Sequence, residues 1–371
     1  MPSFPDRSPA AVAVSRRYVL GAAASATLAR LDRPLEAAPF VLPRDPQAVA
    51  FAPGGTMAAT GCSGLSDGTF PPRPHPDVRK CGVVAVWDVA TRRRLFRWET
   101  FGDLIKLAFS PDGRQLAACR LFECDDGLAL PEVRVWDVTT GRTAVVLDRC
   151  HYFDYLPNGS LAVLSRSKCA VYDTRTWTKQ QLIPELSPAV SLTALPGTAD
   201  LVGLVAQGGK RVLRRTGTSG GRAVQSLPLP SPTCRVAAAP DCSILATGHD
   251  DGIVWLWEPE SLRLLGQLET AVRGLAHPFF SSDGQTLAAG CQANGDVVFW
   301  RLADRREIAR YTFERGALPA ARSRTSTDGF EPRQDPARFC FSPDGEAFFV
   351  GCYGGIMRAT RDGRELARFD D

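Results

Sequence analysis

His249-Asp250-Asp251 sets an imidazole beside two carboxylates, the side-chain types of general acid–base catalysis. Cys62, His75 and Cys81 bring two thiols and an imidazole into one segment, the ligand types of a zinc site. The same two cysteines flank 18 residues and, if oxidised, would staple the base of that segment. Eleven cysteines in all raise the question of a disulfide or metal framework. Each reading has a plainer rival. A closed zinc site takes four ligands, and no fourth is evident beside Cys62, His75 and Cys81. An odd cysteine total without compact pair spacing does not make a disulfide framework, so a bridge stays open only for Cys62 and Cys81. Asp250 and Asp251 precede Gly252 and read as a turn, which explains both carboxylates without catalysis. The chain has no G-x-S-x-G elbow and no phosphate-binding glycine loop. No catalytic residue, cofactor site or metal site is expected.

The cysteines lead instead to a repeat. Cys62, Cys119, Cys291 and Cys352 follow Gly61, Ala118, Gly290 and Gly351 at the ends of short apolar runs. These four, with Cys169, Cys234 and Cys340, read as small side chains buried in strands. Two of the runs close near-identical phrases, "LAFSPDGRQLAACR" (107–120) and "FCFSPDGEAFFVGC" (339–352). Ile105, Leu107 and Phe109 alternate with Lys106 and Ala108, giving a strand. Pro111-Asp112-Gly113 makes a turn, with proline fixing φ and glycine accepting positive φ. A second strand starts at Leu116. A third (133–138) and a fourth (143–147) follow, joined by a Thr-Gly turn.

Related first turns lie at residues 52–55, 156–159, 195–197, 239–242, 281–284 and 342–345, making seven copies with 110–113. Third-strand phrases recur as "VVAVWDV" (83–89), "EVRVWDV" (132–138), "CAVYDT" (169–174), "IVWLWEP" (253–259) and "VVFWRL" (297–302). Composition agrees with many short strands and tight turns. There are 33 glycines and 28 prolines, and 44% of residues are hydrophobic against 23% charged. The net charge of +4 has no basic stripe behind it, so no nucleic-acid partner is expected. After the N-terminus no apolar run approaches the ~18 residues of a membrane span.

A four-strand repeat of 40-odd residues with Trp-Asp closing the third strand resembles the WD-repeat β-propeller family. The resemblance rests on Trp87-Asp88, Trp136-Asp137 and the seven turns, and covers about residues 40–371. It implies an all-β fold, a single seven-bladed β-propeller of four-stranded antiparallel blades, with residues 1–36 as a leader and 37–371 as the propeller. Trp257 and Trp300 then occupy the same third-strand place as Trp87 and Trp136, and Asp251 closes a turn between second and third strands. One departure is plain. The family's Gly-His dipeptide before the first strand is missing, since Gly248-His249 ends a second strand. The polar tetrad built on that histidine is therefore expected to be absent, leaving blade stability to apolar packing. Ring closure has two candidate outer strands, Phe40-Val41-Leu42 and Leu366-Ala367-Arg368-Phe369. Signatures of propeller enzymes are also missing: Ser281–Leu287 lacks the spacing and Trp of a sialidase-like turn, and no residues remain for a hydrolase domain.

Ser15-Arg16-Arg17 followed by small and apolar residues resembles a twin-arginine export signal, with Val19 and Gly21 departing from the pattern. The periplasm and the cytoplasm both stay open as the compartment.

Function is expected in the insertions. From first turn to third-strand aromatic the first copy needs 34 residues (53 to 87) and the second 25 (111 to 136), against 17 in the fifth (240 to 257). The extra length falls in 61–82 and 119–132, and a third insert, 312–337, joins copies six and seven. Loops this long in a compact fold are functional or disordered. In a meander all three rise on one face, near blades seven, one and two. They carry Phe70, His75, Phe122, Arg322, Arg324 and Phe330, residue types found at protein interfaces. The expected role is a monomeric, non-catalytic scaffold with a protein partner. The alternative is a propeller enzyme or small-ligand binder using the central channel.

Overall fold

The computed structural model describes residues 46–369 apart from 64–80, 92, 102, 124–128, 167, 219–224, 230–232, 271–275, 292–296, 312–338, 345–346, 353–354 and 361–365. The described residues form seven four-stranded antiparallel sheets, numbered one to seven in chain order. Each is a meander of four consecutive strands. The first strands are Pro46–Phe51, Asp103–Phe109, Cys150–Tyr155, Ala189–Ala194, Thr233–Ala238, Ala276–Phe280 and Phe339–Phe341. Each packs against the first strands of the sheets before and after it, and the first strand of sheet seven packs on that of sheet one. The contacts thus close a cycle, with first strands innermost and fourth strands outermost. The only helical segment among the described residues is a single 3-10 turn, Pro184–Leu186. No described helix is long and apolar enough to cross a membrane.

The Ser-Pro-Asp-Gly phrase explains the turns. In sheet two, Ser110 Oγ donates to Asp112 Oδ1 at 2.6 Å, and the same oxygen accepts the Arg114 N–H at 3.0 Å. Sheet six repeats the pattern with Ser281, Asp283 and Gln285. Gly113 closes the turn at φ 70°, where an L-residue is strained by about 1–2 kcal/mol. Cys242 takes that place in sheet five at φ 59°. Turns of neighbouring sheets meet: Gly55 lies against Pro343, and Ser282 Oγ donates to Ser342 O at 2.8 Å. These turns therefore share one side of the ring.

Sheets stick together face to face because no single sheet can bury its own apolar surface. Leu104 and Leu107 of sheet two pack on Ala48, Ala59 and Val84 of sheet one. Cys119 joins Val133, Cys150 and Phe153 between sheets two and three. In sheets one and five the second strand has glycine near its end, where the next sheet crowds it. A Cβ at Gly61 would meet Leu104 Cδ2 at 2.1 Å, and one at Gly248 would meet Ala276 O at 1.8 Å.

His151 links sheets three and four, its Nε2 donating to Ala189 O at 3.2 Å. Burial holds its pKa down to about 4, and the carbonyl bond offsets this only in part. The folded chain thus keeps the ring neutral where the unfolded chain, near 6.5, takes a proton. The stability from a neutral His151 is complete above about pH 6.5 and is lost as pH falls toward 4, about 3 kcal/mol in all. Urea midpoints measured from pH 7 to 4 should fall for the wild type and stay flatter for His151→Gln. An identical slope in both would refute this assignment.

One expectation is corrected. The insert 119–132 is mostly strand: Gln115–Glu123 pairs with Ala129–Asp137 out to Glu123 opposite Ala129. Two of its charged residues, Arg120 and Glu132, are hidden as a cross-strand pair, with Arg120 1% exposed and bonded to Glu132, which also accepts Arg134 Nε at 2.9 Å. Of the two candidate closing strands, Leu366–Phe369 is the fourth strand of sheet seven, so all four strands of that sheet come from the C-terminal segment. The rival strand at 40–42 lies outside the described residues, as does the leader.

Candidate functional site

The third-strand tryptophans and their aspartates hold the sheets rather than react. Trp87, Trp136, Trp257 and Trp300 are all buried, between 1% and 4% exposed. Trp87 Nε1 donates to Thr60 Oγ1 at 3.0 Å in sheet one. Trp257 Nε1 donates to Thr247 Oγ1 at 2.8 Å in sheet five, and His249 Nε2 lies 2.9 Å from the same hydroxyl. The expected absence of a polar network is thus corrected. Sheets one and five keep a Trp–Thr bond, and in sheet five the histidine comes from two residues along the same strand. Sheets two and six carry Ala118 and Ala289 where Thr60 and Thr247 stand, so they lack that hydroxyl. Packing replaces it in part: Trp98 stacks on Trp136 with centroids 4.9 Å apart.

Asp88 and Asp137 end their third strands and cap the next turn. Asp88 accepts the Thr91 hydroxyl at 2.6 Å and the Thr91 N–H at 2.7 Å, and these bonds hold its carboxyl below the usual range. Asp137 accepts the Thr139 and Thr140 N–H groups at 2.8 Å and is lowered mainly by the Thr140 bond. Asp251 Oδ1 accepts Ile253 N–H at 3.0 Å across the turn between second and third strands. His249 is fully buried against Trp255 and sits two residues from Asp251. This supplies structure for the His-Asp-Asp sequence.

Among the described residues no three His, Cys, Asp or Glu side chains group as metal ligands. His75 and the side chains of Cys62 and Cys81 lie outside the description, and so do the interface candidates Phe70, Arg322, Arg324, Phe330 and the side chain of Phe122. Backbone pairing sets Cys62 opposite Val83 and Cys81 opposite Phe101. Cys119, Cys150, Cys169, Cys242 and Cys340 are free thiols. Burial pushes Cys150 up to about 11 and Cys169 up to about 12, so neither ionises near neutral pH. Thiol titration of the denatured chain should therefore count at least nine free groups; four or five disulfides would contradict this.

Reading the residues alone missed the polar lining of the ring's axis. A cavity of about 650 Å³ is bounded by all seven first strands and reaches the turns at Pro53, Ser282 and Pro343. Lys106, Tyr152, Ser191, Arg235 and His277 each stand five residues before the second residue of their turns, so they share one level along the axis. In sheets one, two, four and five the backbone register shifts just before that level, at Pro46/Ala48, Leu104/Lys106, Ala189/Ser191 and Thr233/Arg235. Such bulges re-aim the following side chain. Aligning the seven copies on their turns is the sequence signal that finds this set.

At that level Lys106 Nζ donates to Asp154 Oδ1 at 3.0 Å and to Phe153 O at 2.9 Å. Burial opposes its charge, but Asp154 and Tyr152 more than restore it, and its pKa ends above the usual lysine value. Asp154 Oδ2 accepts the Ala194 N–H at 3.0 Å. Tyr152 lies between two cations, with Lys106 Nζ 4.6 Å and Arg235 Cζ 4.7 Å from its ring centroid.

The model of the WD domain, G-beta repeat, matches residues 223–258. That span takes the fourth strand of sheet four (Gln225–Pro228) and the first three of sheet five, so the sequence repeat is offset by one strand from the sheet. It contains Thr247, His249 and Trp257 with their bonds. No curated protein matches the chain. One repeat matched in sequence and four-stranded antiparallel sheets recurring around the axis fit a WD-repeat β-propeller.

Proposed function

We propose that the chain is a non-catalytic scaffold that binds another protein through the side of the ring opposite its tight turns. Strand direction is the observation that carries the reading. Each first strand runs toward the shared turns, so its partner returns to the other side. The strand ends flanking 64–80, 124–128 and 312–338 all belong to that other side. The insertion 312–338 runs from the outer strand of sheet six to the inner strand of sheet seven, and sheets seven, one and two are neighbours in the ring, which supports a common surface for the three insertions. Phe70, His75, Phe122, Arg322, Arg324 and Phe330 are the contacts proposed. Propellers of this family commonly serve as interaction platforms, and a rigid ring carrying long connections suits that use.

The test replaces 64–80, 124–128 and 312–338 with tight turns in one variant, confirmed to unfold cooperatively. Affinity capture from native cells is run with both proteins. A partner retained by the wild type and lost by the trimmed ring supports the reading. Equal retention by both contradicts it.

A further inference from the structure

We propose that the axial cavity binds a small uncharged aromatic compound carrying one hydrogen-bond donor, of the phenol type. This goes beyond the scaffold reading and does not depend on it. Seven strands bound the cavity, and its volume of about 650 Å³ falls within the usual range for small-molecule sites. The level concerned lies three residues before the second residue of each turn, closer to the turns than Lys106, Tyr152 and Arg235. Each sheet contributes one residue there, and all seven of these residues line the cavity. Ala108, Asp154, Ala237, Phe279 and Cys340 are partly exposed although they stand on innermost strands. An innermost strand meets open space along the axis, so these side chains face it.

The level divides into two arcs. Ala237, Phe279, Cys340, Ala50 and Ala108 belong to sheets five, six, seven, one and two, which follow one another around the ring. They make an unbroken apolar arc, and the three alanines leave room beside the Phe279 ring. Asp154 and Thr193, on sheets three and four, make the remaining arc, which is polar. A flat aromatic ring packs on the first arc, with Phe279 as its ring partner. Its donor then points at the second. Each Asp154 oxygen accepts one bond, from Lys106 or from the Ala194 N–H, and a carboxylate has about four acceptor positions, so it can take a further donor. Thr193 Oγ1 donates to Ala194 O at 3.4 Å and keeps its lone pairs for the same use. An anion would be set against the Asp154 carboxylate, whose charge Lys106 already balances, and a cation would be set beside Lys106. An uncharged ligand avoids both costs. No bond is made or broken in this proposal; the site holds its ligand and releases it.

Calorimetric titration of the chain with phenol, anisole and benzoate tests this. Phenol should saturate at one per chain in the millimolar range. Anisole, in which a methyl group replaces the donated hydrogen, should bind at least fivefold more weakly, and so should benzoate. Ala237→Leu and Cys340→Leu add bulk toward the axis, and each should weaken phenol binding at least tenfold in a chain that still unfolds cooperatively in urea. The comparison of phenol with anisole uses the wild-type chain, so the proposal stays open to refutation if a leucine variant fails to fold. Three results would overturn it: no saturation by phenol at millimolar concentration, anisole or benzoate bound as tightly as phenol, or phenol affinity unchanged in folded leucine variants.

Discussion

Gly248→Ala should cost about 3 kcal/mol or more, at or above the usual upper end for overpacking. The added Cβ would lie 1.8 Å from Ala276 O, 2.7 Å from Ala276 C and 2.8 Å from Pro278 Cδ. Two of these atoms are backbone of sheet six's first strand, which is held by pairing to its second strand and cannot swing aside. Sheets five and six would have to separate, opening the cluster of Ala246, Leu256, Leu287 and Trp300. Gly113→Ala is the natural comparison. Its Cβ meets nothing closer than 3.8 Å, so only the φ of 70° is strained, at about 1–2 kcal/mol. Urea unfolding of both variants checks the order. A Gly248→Ala loss no larger than that of Gly113→Ala would contradict the close approach of sheets five and six.

Asp200→Ala should cost a similar amount, about 3–5 kcal/mol, by breaking a buried ion pair. Arg215 Nε donates to Asp200 Oδ2 at 2.8 Å, and the two side chains are 6% and 7% exposed. Arg215 Nη1 also donates to Pro259 O at 2.6 Å, tying sheet four to the turn beyond the third strand of sheet five. Removing the carboxylate leaves a guanidinium in a site too dry to solvate it. Replacing both partners by apolar residues, Asp200→Leu with Arg215→Met, removes the stranded charge and should cost much less. A double variant as unstable as Asp200→Ala would show that the loss comes from packing and not from charge.

The repeat was legible because its turns use few residue types for fixed physical reasons. Proline followed two residues later by glycine recurs at Pro53, Pro111 and Pro343, with aspartate between them at Asp112 and Asp344 and left-handed glycines at Gly55 and Gly113, and the strands between the turns alternate. The tryptophans were legible as third-strand markers because a large buried ring has few places to go. Other features were hidden by chemistry that reads as surface. Arg120 and Glu132 look like loop charges, yet they satisfy each other across a hairpin that continues the sheet. Thr60 and Thr247 look like ordinary strand residues, and only the fold brings a tryptophan N–H to each. The axial set was the least visible. Lys106 and Asp154 stand 48 residues apart in different repeats, and alternation marks Lys106 merely as the polar side of a strand. In a ring the innermost strand has no simple outer side, so that polar side faces the axis. Both candidate closing strands looked alike, and the choice between them rested on pairing partners rather than on their own residues.

The central claim is that a rigid ring offers one side to a protein partner. Hydrogen–deuterium exchange of the chain, alone and with the captured partner, tests it most directly. The account predicts new protection in 61–82, 119–132 and 312–337, with exchange unchanged in the turns around Gly55, Gly113 and Gly284. Protection confined to those turns, or to the outer fourth strands, would contradict it.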